Sequence, residues 1–198
     1  MTDLTTLARV REHQQRTDTT NTTQDDILES LITTASRMIE NYTQREFITA
    51  GSTPSTRSFR YDGRGILNLA PYDARTVTSV TIDTDITDGE TDLTSDEWRL
   101  WPIPAKDGVY SHLHIIGYGA RGKADYPTWR KVDVTGTWGW ASVPDVVERA
   151  AIMLTLELLS RTSSWHNDDG FSAPQGATAM PLHIRMMLAP YKRYSVGV

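Results

Sequence analysis

The sequence predicts an α+β protein: a small helical-bundle body with an inserted antiparallel β-rich subdomain. Three observations lead there. Apolar residues recur at helical spacing near both ends of the chain, they alternate in the middle between Gly and Pro punctuation, and helical spacing returns at once after Pro144. The expected order is helix, helix, strands, helix, helix. Residues 1–51 and 141–198 then form the body, and 52–140 the insertion.

Leu4, Leu7 and Val10 predict a short first helix over residues 5–16, and the Thr, Asp and Asn run from Thr17 to Thr23 predicts a loop after it. The next helix is the best marked. Ile27, Leu28, Leu31, Ile32, Ala35, Met38, Ile39 and Tyr42 make an amphipathic stripe, and Asp25 and Asp26 occupy the first turn, where carboxylates meet unpaired N–H groups and the positive end of the helix dipole. Between Gly51 and Gly139, Val77, Val80 and Ile82 mark one strand. Tyr110 to Tyr118 marks a second, with Leu113 and Ile115 on one face and His112, His114 and Ile116 on the other. Lys131 to Trp140 marks a third, in which Val132, Val134, Trp138 and Trp140 share a face across Gly136. Val147, Ala150, Ala151, Leu154, Leu158 and Leu159 then give a helix from Pro144, with Ser142 as its expected N-cap. Thr162 to Thr178 reads as a mobile loop, and Pro181 to Leu188 as a short last helix stopped by Pro190.

Composition excludes several functions. At 198 residues with 38% hydrophobic content, the chain is expected to fold as one cooperative unit. It has no cysteine, which removes disulfides, thiol catalysis and Cys-ligated metals. No run approaches the roughly 20 apolar residues of a membrane span, and Met1-Thr2-Asp3-Leu4 does not open a signal sequence. A cytosolic origin and no membrane partner are expected. The net charge of -5 argues against wrapping nucleic acid, though an acidic or mixed lining would let DNA slide past without sticking.

Motifs for chemistry are sparse. His112 and His114 point the same way and are the start of a metal site, but no third ligand lies near them in sequence, so two partly exposed histidines are the simpler reading. The stretch Asp83, Asp85, Asp88, Glu90, Asp92, Asp96 and Glu97 fails the calcium-loop spacing and reads as a solvated acidic hairpin that in an assembly faces a basic partner or DNA. Gly117 to Gly122 lacks the ending and the following helix of a phosphate loop. Trp98 with Trp101, and Trp138 with Trp140, are read as core or interface anchors rather than a stacking platform. No catalytic residue, metal or cofactor is expected. Arg185, Tyr191, Lys192, Arg193 and Tyr194 make a basic, aromatic, flexible terminus suited to docking, and Trp98, Trp101, Asp88, Glu90 and Asp92 are the expected subunit or partner contacts.

Three stretches resemble the head-to-tail connector, or adaptor, proteins of long-tailed phages and gene transfer agents. The first runs Thr6-Leu7-Ala8-Arg9-Val10, Asp25-Asp26-Ile27-Leu28 and Ala35 to Phe47, similar to the family's opening helix pair with its Ile-Glu and Arg-x-Phe pattern. The second is Thr135-Gly136-Thr137-Trp138-Gly139-Trp140 through Val143-Pro144 to Val147, like the family's strand-to-helix junction. The third is Pro181 to Arg185 with Leu188-Ala189-Pro190-Tyr191, like its closing helix. The resemblance implies a virion protein made in the host bacterial cytoplasm. It implies a homo-oligomeric ring, dodecameric in relatives, that binds the portal protein, extends the DNA channel and joins a stopper or tail-completion protein. It also implies that the C-terminal segment reaches the portal. Two rivals stand beside it: a tail-completion protein with the same helical opening, and a metal-dependent hydrolase or ligand binder using His112 and His114.

Overall fold

The computed structural model describes residues 3–14, 24–47, 51, 53–85, 89–103, 105, 107–116, 130–164 and 180–193. It is α+β, as the hydrophobic periods require. The chain divides into two compact units, Met1–Arg45 with Val143–Val198, and Glu46–Ser142.

The first unit is helical. It contains α1 (Leu7–His13), α2 (Asp25–Thr43), α3 (Asp145–Ser164) and α4 (Leu182–Leu188), the last continued by a 3-10 turn at Ala189–Tyr191. Thr6 caps α1 by accepting from the Arg9 N–H at 3.4 Å. Asp25 and Asp26 lie in the first turn of α2, and Gln44 ends that helix in the left-handed region at φ 55°. Val10, Leu28, Ile32 and Ile152 are buried together, flanked by Leu7, Leu156 and Leu159, and α3 touches the other three helices. The finer expectation of a helical bundle is not carried, because α1 and α4 have seven residues each. Ser142 does not cap α3 either. The Val147 and Glu148 N–H groups donate to the Pro144 carbonyl at 2.8 and 3.0 Å, so the first turn closes on a backbone acceptor.

The second unit is β. Its strands are β1 (Ser55–Tyr61), β2 (Ile66–Asn68), β3 (Ala74–Asp85), β4 (Gly89–Asp92), β5 (Trp98–Trp101), β6 (His112–Ile115) and β7 (Arg130–Trp138). They form a four-stranded sheet in the order β1-β7-β3-β4 and a three-stranded sheet in the order β2-β6-β5, every pairing antiparallel. Tyr61, Val80, Ile82, Val132, Val134 and Trp138 from the first sheet share one core with Leu67, Leu113 and Ile115 from the second. The two sheets therefore lie back to back, with their outer faces on opposite sides.

Alternation in β6 and β7 is as the sequence predicts. Leu113 and Ile115 are buried while His112 and His114 are not, and Val132, Val134, Gly136 and Trp138 share the inner face. The third strand nonetheless ends two residues before Trp140. Gly139 takes φ 102° and donates to the Asp73 carbonyl at 2.8 Å, which turns the chain so that Trp140 packs on Phe47 with ring centroids 5.3 Å apart.

Val77 and Val80 do not share a simple alternation because β3 carries two register shifts against β7, between Ala74 and Thr76 and between Val77 and Ser79. Strand β1 was not marked by the sequence. Arg57 stands on its inner-facing side with Phe59 and Tyr61, which hides the period; its guanidinium lies 3.5 Å from the centre of the Tyr72 ring and 5.1 Å from that of Trp138.

Candidate docking surfaces

The expected C-terminal residues do not form a free tail as far as Arg193. Arg193 is 5% exposed, and its N–H donates to the Thr43 carbonyl at 2.9 Å, at the end of α2. The Arg45 Nε donates to the Tyr191 carbonyl at 2.8 Å, and the Lys192 ammonium lies 5.2 Å from the centre of the Tyr42 ring. The flexible terminus expected from sequence is thus corrected for Tyr191 to Arg193: α2 ends with unpaired carbonyls, and this strip satisfies one of them. Tyr194 lies outside the described residues. Arg185 and Lys192 are exposed, and Tyr191 is half-buried.

Helix α4 presents more than its basic residues. Ile184 and Leu188 are buried, whereas Leu182 and Met186 are 67% and 69% exposed. The sequence holds two apolar pairs at i, i+4 on this helix, and only one of them turns inward. The outward pair was missed, since period alone does not say which pair finds a core. Together with Arg185 it makes an apolar and cationic strip of the kind that anchors partners.

In the β unit, the tryptophan pair is divided. Trp98 and Trp101 are three residues apart on one strand and so face opposite ways. Trp98 packs against the core, while Trp101 is 51% exposed. Trp138 and Trp140 are buried, and the Trp138 indole donates to the Ser55 carbonyl at 2.9 Å. His112 and His114 share the outer face with Trp101, whose ring centroid lies 6.0 Å from that of His114. The His112 Nδ1 is 2.8 Å from the Ser111 hydroxyl. No group of three or more His, Asp or Glu able to hold a cation exists among the described residues.

Most of the acidic stretch has defined partners. Asp83 pairs with Glu90 and Thr81 with Asp92 in the β3–β4 ladder, and Asp92 accepts from the Thr81 hydroxyl at 2.7 Å. Lys131 reaches Asp133 at 2.7 Å and Glu90 at 3.9 Å, and the Asp133 hydrogen bond is the chief reason its ammonium is held above the ordinary lysine range. Burial pushes the Asp133 carboxyl up, but hydrogen bonds from Lys131 and Ser58 outweigh it and leave the group below its usual value. Glu97 accepts from the Thr94 N–H and hydroxyl, each at 2.8 Å. Asp88 lies outside the described residues, as does the Gly117 to Gly122 turn.

A solved structure of the neck of an empty GTA particle, computed with C6 symmetry, contains a chain that aligns with 96% of this one and 91% of its own length. The TM-score is 0.54 and the sequence identity 21%. The likeness is one of fold. It covers both the helical and the β unit. No protein-family profile and no curated protein matches the chain. No helix among the described residues is long and apolar enough to cross a membrane.

Proposed function

We propose that this protein is a structural head-to-tail connector: a ring subunit bound beneath the portal that extends the DNA channel and joins the capsid to the next connector or tail protein. The observation that carries the reading is the fold likeness to a GTA neck chain over nearly the whole of both chains. Neck components work through surfaces, and this chain offers two of them.

The Leu182, Arg185 and Met186 strip with Lys192 is the proposed portal-docking surface, extended by Tyr191, Arg193 and Tyr194. Arg193 acts there by anchoring the strip, since its side chain is buried. Trp101, Glu90 and Asp92 are proposed contacts for sister copies or the next protein. Asp88 is proposed with them, as is Trp98, which packs against the core. The ring is heterologous, one patch meeting a different patch on its neighbour, and the family resemblance implies twelve copies. A net charge of -5 lets DNA pass without immobilising its phosphates. The protein is made in the bacterial cytoplasm and ends in the virion, with no enzymatic step and no cofactor.

Deleting the gene tests this. Filled heads without tails are expected, and adding back wild-type protein restores joining, whereas Arg185→Glu with Met186→Glu does not. Normal joining without the protein overturns the reading. Capture of tail proteins but not of portal transfers it to a tail-completion role, and stoichiometric metal lost in His114→Ala supports the hydrolase or ligand-binding rival.

A further inference from the structure

We infer that copies of this chain join through the outer face of the β2-β6-β5 sheet of one copy and the acidic β3–β4 hairpin of the next. This rests on the ring reading above and names the surfaces that close it.

The receiving face is unusual for a solvent-facing sheet. Register places Ile66 and Asn68 of β2, His112 and His114 of β6, and Arg99 and Trp101 of β5 side by side. Ile66 and Trp101 are exposed, and so is Ile116, the next residue on this side of the chain after His114. Three of the eight exposed large apolar residues among those described, Ile66, Trp101 and Ile116, lie here. The strand residues on this face include no carboxylate. Glu97, just before β5, is turned into its own bonds with Thr94. An apolar area carrying Trp, Arg and two imidazoles desolvates cheaply at its centre and still offers N–H donors.

The counterpart lies on the opposite outer face of the same unit. There Asp83 stands on β3 and Glu90 and Asp92 on β4, the edge of the four-stranded sheet, and Lys131 reaches Glu90 at 3.9 Å. A short, acidic edge strand is a common defence against unwanted sheet pairing. Here it also supplies acceptors to match the donors of the other face. Because the two sheets share one core, patch and counter-patch are different surfaces of the same unit, as a head-to-tail contact requires. An isologous pairing would set like against like.

The chain has no cysteine, so single thiols report the contact directly. Full-length Glu90→Cys and His114→Cys proteins are mixed and oxidised. A mixed disulfide several-fold above either variant alone is expected, and above a Thr56→Cys and His114→Cys control that places a thiol at the far edge of the sheet. The yield should fall as salt shortens the screening length from about 10 Å at 0.1 M to about 3 Å at 1 M. Adding Arg99→Glu to the His114→Cys protein should abolish it, and Asp92→Arg in the Glu90→Cys partner should restore it. Circular dichroism checks that each variant is folded. Control-level disulfide overturns the inference. If sedimentation then shows assembled species, the ring stands on other surfaces; if it shows only monomer, the gene-deletion assay decides the connector reading alone.

Discussion

A β-carbon placed on Gly136 would sit 2.0 Å from the Thr76 carbonyl oxygen and 3.0 Å from the Val77 Cα. The two register shifts of β3 push its backbone towards β7 at this point, and only a residue without a side chain lets the strands close.

Gly136→Ala is therefore expected to lower stability by about 1–3 kcal/mol, as in overpacked cores. The obstacle is backbone, which has no rotamer to move aside. Denaturant unfolding of the variant, with Gly51→Ala as control, measures it; a β-carbon at Gly51 meets nothing within 4 Å.

Tyr61 is 1% exposed, and its hydroxyl accepts from the Gly65 N–H at 2.9 Å. Burial raises its pKa above the ordinary value of 10.0, outweighing the Gly65 bond. The folded state thus holds its proton more tightly than the unfolded chain. Its contribution is full below the unfolded pKa and is lost as pH rises through the folded one. Tyr61→Phe should cost ~1 kcal/mol at neutral pH and flatten the decline of stability above about pH 10. Melting curves across the alkaline range would show it, and an unchanged slope would count against this linkage.

The Leu4 N–H donates to the Ser36 hydroxyl at 3.0 Å, and that hydroxyl donates to the Ile32 carbonyl at 2.8 Å. Ser36 is fully buried. Ser36→Ala leaves the Leu4 N–H without this acceptor and should cost ~1–3 kcal/mol. Amide exchange at Leu4 should rise together with the loss in unfolding free energy.

Truncation after Arg193 keeps the Tyr191 and Arg193 bonds of the helical unit and is the reference. Truncation after Pro190 removes the Tyr191 and Arg193 bonds to Arg45 and Thr43, and should destabilise it by ~1–3 kcal/mol. Thermal melts of the two truncations compare them directly, and equal melting would remove the anchoring role of this strip.

Much of this is legible in the sequence. Periodicity alone fixed α2, α3, the inward faces of β6 and β7, and thereby the α+β class, because burying one face imposes a repeat of 3.6 or 2 on the sequence. Absence of cysteine and the charge of -5 bounded the chemistry in the same direct way. Tertiary structure alone decided the rest. Strand β1 hid behind an arginine whose inner position depends on Tyr72 and Trp138, distant in sequence. The parting of Trp98 from Trp101, the anchoring of Arg193 on α2 and the outward turn of Leu182 and Met186 depend on which surface finds a neighbour. A local repeat records that a residue is apolar, whereas its partner is set by contacts between segments far apart along the chain.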